Sequence, residues 1–117
     1  MKTLKKLTLK DVDIEISIKP EDIHPRNCIA YDTEQENEQA VNDILKRLEY
    51  NLWAWCIVCV KVSACDTIEK EYLGACSYED EQDFKHGGYY DDMVNECLIR
   101  LNESLQEQYN RLSELAL

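Results

Sequence analysis

Cys56-Ile57-Val58-Cys59 has the C-x-x-C form that zinc knuckles and thiol redox sites use. A zinc knuckle sets the motif on a tight turn, so that both sulfurs reach a metal about 2.3 Å away. A redox pair sets it at a helix N-terminus after a strand. Ile57 and Val58 favour an extended chain instead, and in a strand residues i and i+3 point to opposite faces. A structural zinc module would have to draw its remaining ligands from His24 and Cys28. The six cysteines (28, 56, 59, 65, 76 and 97) include several in apolar runs, where a thiol serves as a small core residue. With no export signal they are expected as reduced thiols in a cytosol.

Residues 74–93 hold all three glycines, Gly74, Gly87 and Gly88, amid acids and tyrosines. The acids lack the ligand positions, central glycine and closing glutamate of an EF-hand loop. Gly87-Gly88 before a helix could cradle a phosphate, but Asp91 and Asp92 occupy the first helical turn and would repel one. Cys76 or Ser77 with His86 has no nucleophile motif around it. No catalytic residue, cofactor or metal site is therefore assigned. What remains is a candidate protein-binding surface: Glu79, Asp80, Glu81, Asp83, Asp91 and Asp92, with Tyr89 and Tyr90. Adjacent residues at a helix start point in different directions, so at most one of these tyrosines is expected to be buried.

The elements that must position this surface can be read from periodicity. Residues 7–19 alternate, with Val12, Ile14, Ile16 and Ile18 on one face, which predicts a half-buried strand ended by Pro20. Residues 20–31 read as a loop. Thr33 with Glu36 predicts a capped helix over 33–50, whose stripe is Val41, Ile44, Leu45 and Leu48. Residues 52–64 read as the central strand, with Trp53, Trp55, Ile57 and Cys59 on one face, and residues 68–77 as its hairpin partner. Gly74 inside that strand suggests a bulge. Residues 78–88 read as a connection, and 89–116 as one long helix. Val94, Leu98, Leu101, Leu105, Leu112 and Leu115 form a heptad seam in it, broken once by Gln108. The expected fold is α+β: a three-stranded antiparallel sheet packed by two helices, order β-α-β-β-α, in one domain. The seam predicts packing on another chain, as a homodimer or higher oligomer, or else internal packing.

A chain of 117 residues with a net charge of −11 repels a phosphate backbone, which argues against direct nucleic-acid binding. No apolar run is long enough to span a membrane, and Lys5, Lys6, Lys10 and Asp11 break up any signal-peptide core. Such acidity suits a basic partner, or simply maintains solubility. A different class of reading is a small-molecule sponge or sensor, with a dimeric pocket lined by Trp53, Trp55, Tyr72 and Tyr78.

Trp53-Ala54-Trp55-Cys56, then Leu73-Gly74, Cys76-Ser77-Tyr78, Asp83-Phe84 and Gly87-Gly88-Tyr89-Tyr90-Asp91-Asp92-Met93, follow one another along the chain. In them the chain resembles a group of short uncharacterised bacteriophage accessory proteins, over about residues 53–101. The resemblance implies a protein acting in a bacterial host cytoplasm. It implies an inhibitor of a host protein, such as a CRISPR or other defence complex with a basic surface. The lysines of the first ten residues depart from a uniformly acidic mimic.

Overall fold

The computed structural model describes residues 4–115. Strands β1 (Asp13–Pro20), β2 (Cys56–Ala64) and β3 (Thr67–Cys76) form one antiparallel sheet in that spatial order. Three helices accompany it: α1 (Glu34–Leu48), α2 (Glu81–His86) and α3 (Tyr89–Leu115). The α+β class, the three-stranded antiparallel sheet and the long C-terminal helix agree with the sequence reading. Helix α2 is an addition, lying inside the segment read as a connection.

Register explains which side of the sheet is buried. Ile14 pairs with Val62, Ile16 with Val60 and Ile18 with Val58, so these side chains share a face. Helix α3 lies on that face. Its Met93, Val94, Cys97 and Leu101 join Val58, Val60 and Val62 in the core. Each large side chain so buried is worth roughly 1.5–3 kcal/mol. On β3 the same face carries Glu69 and Glu71, opposite Val62 and Val60. Arg100 of α3 answers both, with Nη1 2.8 Å from Glu71 and Nε 3.4 Å from Glu69, while Nη2 donates to the Lys70 carbonyl at 2.8 Å. The opposite face, with Glu15, Ser17, Lys19, Cys59, Lys61, Lys70 and Tyr72, is exposed or half-exposed.

Three local expectations need correction. The first strand begins at Asp13 rather than at residue 7. Leu9–Asp11 form a 3-10 turn, closed where the Thr8 N–H and hydroxyl donate to Asp11 at 2.8 and 3.1 Å. The central strand begins at Cys56, because Leu52–Ala54 form another 3-10 turn, capped by Asn51 accepting from the Trp53 N–H. Trp53 and Trp55 therefore do not line a strand face with Ile57 and Cys59. Finally, α1 is capped by Thr33 as expected, but it does not lie flat on the sheet. Its buried Val41 and Ile44 belong to a helix whose main neighbours are the turns Pro25–Asn27 and Leu52–Ala54, beyond the strand ends.

The parts are thus strung along one axis. The molecule measures 68 × 22 × 21 Å with a radius of gyration of 19.2 Å. A compact chain of this length would have a radius of about 13 Å. Helix α3 supplies much of the length, at roughly 40 Å. It stays in contact with the sheet as far as Gln108, whose amide donates to the Thr67 hydroxyl at the β2–β3 turn, at 3.0 Å. The heptad seam divides accordingly. Val94 and Leu101 are buried against the sheet, Leu98 and Leu105 are half-buried, and Leu112 and Leu115 are 66% and 82% exposed. Most of the seam is an internal contact, and only its last two leucines are open to another chain.

A basic N-terminal arm runs along α3. The Asn102 side chain accepts from the Leu7 N–H at 2.8 Å and donates to the Leu7 carbonyl at 3.1 Å. Gln106 accepts from the Leu4 N–H at 2.9 Å. A helix side chain thereby supplies what a neighbouring strand would supply to an extended segment.

Candidate functional site

The junction between β3 and α3 is built by backbone bracing. After β3 the Tyr78 N–H donates to the Trp53 carbonyl at 2.8 Å, continuing the strand pairing past its formal end. The Arg47 guanidinium, from the end of α1, donates to the Tyr78 carbonyl, and the Asn51 amide donates to the Glu79 carbonyl, both at 2.9 Å. Asp80 caps α2 by accepting from the Asp83 N–H, and the Asp83 carboxylate accepts from the Glu79 N–H, both at 2.9 Å. These are the reciprocal bonds of a short helix start, shifted by one residue from a capping box. Gly88, at φ +91°, then turns the chain into α3. A Cβ there would meet nothing within 4 Å, so the constraint on this glycine is conformational rather than steric.

Phe84 locks the arrangement. It is fully buried, edge-on to Tyr78 at 5.3 Å and to Tyr90 at 6.0 Å, with Trp53 tilted against it at 6.1 Å. Burial pushes the Tyr78 hydroxyl above its usual range, with nearby Cys76, Tyr89 and Asp83 adding to the effect.

Against this frame the eight predicted surface residues divide by role. Asp80 and Asp83 are spent on capping, and Glu81 faces Lys85 at 3.7 Å. Among the described residues, Glu79, Asp91 and Asp92 make no ion pair, and all three are exposed. Tyr90 is half-buried, with the Lys85 ammonium 5.9 Å above its ring. Tyr89 is 56% exposed. The pair behaves as adjacent helical residues must, one inward and one outward. The acids of α1, Glu34, Glu36, Glu38 and Asp43, are also exposed.

The other candidate sets do not assemble. Cys56 is buried in the core, whereas Cys59, directly opposite Tyr72, lies on the open face, so the two sulfurs diverge. The His24 ring accepts from the Arg26 N–H at 3.1 Å and caps a 3-10 turn. Among the described residues no three potential ligands come together. Trp53 and Tyr78 belong to the Phe84 cluster. Trp55 is buried elsewhere, its indole N–H donating to the Ile23 carbonyl at 2.7 Å, and Tyr72 sits under Lys19 on the open sheet face. The four aromatics therefore do not line one pocket. A groove of 690 Å³ does exist, between the N-terminal arm and α3, with Leu4, Leu7, Ile99 and Leu105 among its lining residues.

Sequence reasoning missed Phe84 as the anchor and Arg47 and Asn51 as the braces. The available signal was Asp80 and Asp83 at cap spacing, followed at once by the one phenylalanine of the chain. No protein-family model matches this chain, and neither the curated proteins nor the solved structures compared with it give a match.

Proposed function

We propose that this chain is a non-enzymatic binding protein that docks on a basic surface of a host protein and inhibits it. The observation that carries this reading is Tyr89, exposed at the start of α3 one turn from Asp92, a carboxylate with no ion pair among the described residues, and following a junction whose backbone Arg47 and Asn51 brace. A rigid aromatic anchor loses little freedom on binding, and surrounding carboxylates speed encounter with a cationic patch. The bacteriophage resemblance adds the setting, a bacterial cytoplasm, and the class of target, a defence complex. Direct nucleic-acid binding is no part of the reading, given the charge of −11. The test is capture from bacterial lysate at low and at moderate salt, followed by titration of the recovered partner. Tyr89→Ala should weaken binding about tenfold or more. Recovery of no basic partner at either salt would sink the proposal.

A second reading keeps the small-molecule sponge, moved from the tryptophans to the 690 Å³ groove beside the arm. Leu4, Leu7, Ile99 and Leu105 offer an apolar surface for a ligand, and Lys5, Lys6, Glu103 and Glu107 flank it with polar contacts. A thermal-shift panel of metabolites and nucleotides separates it from the first, since a sponge must be stabilised by its ligand.

A further inference from the structure

Strand β3 carries an irregularity with a definite consequence for two cysteines. Val58 pairs with Leu73, so regular antiparallel pairing would set Cys56 opposite Ala75. Instead the register shifts by one residue and Cys56 faces Cys76. The extra residue is absorbed as a bulge, with Ala75 at φ +54°, a conformation in which a residue with a Cβ is strained. The bulge is held from outside, because the Ala75 N–H donates to the Glu21 carboxylate at 2.7 Å. Both thiols lie on the core side of the sheet, Cys56 fully buried and Cys76 4% exposed. Cys76 Sγ lies 3.2 Å from the Leu73 carbonyl oxygen, to which it can donate. No other cysteine is registered against a cysteine: Cys59 faces Tyr72, Cys97 is buried on α3, and Cys28 and Cys65 are exposed on a loop and a turn.

Directly opposed residues of an antiparallel pair have Cα atoms about 4.5–5.5 Å apart, within the range of roughly 4.4–6.8 Å that a disulfide spans. We propose that Cys56 and Cys76 are a dithiol redox site, which closes to a cross-strand disulfide by exchange with a small-molecule disulfide such as oxidised glutathione. The Cys76 thiolate, from the residue beside the exposed Ala75, attacks one sulfur of the oxidant, and a first reduced thiol leaves. The Cys56 thiolate then attacks Cys76 Sγ, and the second reduced thiol leaves. The Sγ–Sγ bond forms, the oxidant's bond breaks, and two electrons pass to the oxidant. The protons of the two protein thiols go, through solvent, to the departing thiolates. The closed form staples β2 to β3 at the end from which the Tyr78–Phe84 junction springs. The proposal does not depend on what that junction binds.

Burial sets the tempo. It pushes the Cys56 thiol up to about 12 and raises that of Cys76, so closure is slow at neutral pH and quickens as pH rises. The test exposes the full native chain to oxidised glutathione at mildly alkaline pH, with alkylation of the remaining thiols and peptide mapping. The expected result is a Cys56–Cys76 linked peptide, a mass loss of about 2 Da and a higher melting temperature that reductant reverses. Cys76→Ala should abolish the link. The Cys28→Ser/Cys65→Ser variant, altered only at exposed thiols, should still form it. Mixed disulfides at Cys28 and Cys65 alone, or a Cys56–Cys76 link that appears only in denaturant, would overturn the proposal.

Discussion

Phe84 shows how much one side chain can organise. Helix α2 has six residues, too few to hold itself together, and it exists because Phe84 inserts between Trp53, Tyr78 and Tyr90 while Asp80 caps its start. Phe84→Ala should cost about 3–5 kcal/mol. It should also erase the near-ultraviolet signal of the clustered aromatics, measured by chemical denaturation and circular dichroism. On the open sheet face, Glu15 and Lys61 report pH in a simpler way. Lys61 holds the Glu15 carboxyl below its ordinary 4.5, and Glu15 holds the Lys61 ammonium above its ordinary 10.5. A depressed acid contributes stability above its unfolded value, lost as pH falls through the folded one. A raised base contributes below its unfolded value, lost as pH rises through the folded one. The pair's small contribution should therefore be complete between about pH 4.5 and 10.5 and fade outside that window. Lys61→Met should let the Glu15 titration, followed by NMR, return upward.

At the scale of elements, the β2–β3 turn carries a local cost. Cys65 and Asp66 both have positive φ, at 51° and 62°, as a two-residue turn of mirror-image type requires. Neither is glycine. Cys65→Asn with Asp66→Gly should stabilise the chain by about 1 kcal/mol without altering register, since the left-handed conformation costs a residue with a Cβ about that much, measured as a higher urea midpoint at unchanged slope. Elements with a strong period were legible from the chain. Ile14, Ile16 and Ile18 declare β1, and Val41 with Ile44 and a Thr33 cap declare α1. Helix α2 was not, because six residues cannot display a period and the Asp80–Asp83 cap spacing is lost among so many other acids. The apolar stripe of α3 left its partner open, between another chain and the sheet, for a different reason. A heptad names the apolar face of a helix but not what covers it, and here the sheet covers Val94 and Leu101. The candidate surface was half legible. Helix geometry implied that Tyr89 and Tyr90 would not both be buried but not which would be exposed, and the capping roles of Asp80 and Asp83 depended on a helix start that the chain did not announce.

For the whole molecule, the 68 Å length leaves a helical tip beyond the sheet, with Leu112 and Leu115 in the open. Tip-to-tip pairing should make the wild type sediment as a dimer at high concentration. Leu112→Glu/Leu115→Glu should then be monomeric and change stability by no more than about 0.5 kcal/mol, since both sites are exposed. A wild-type monomer at every concentration would reserve the tip for a different partner. The N-terminal arm has a consequence of its own during synthesis. Leu7 leaves the ribosome 95 residues ahead of Asn102, whose amide it needs. The sheet can pair and α2 can dock while Leu4 and Leu7 are still untethered. Only when the second half of α3 emerges can Leu4 and Leu7 be tied down, so a segment made early is among the last to be fastened.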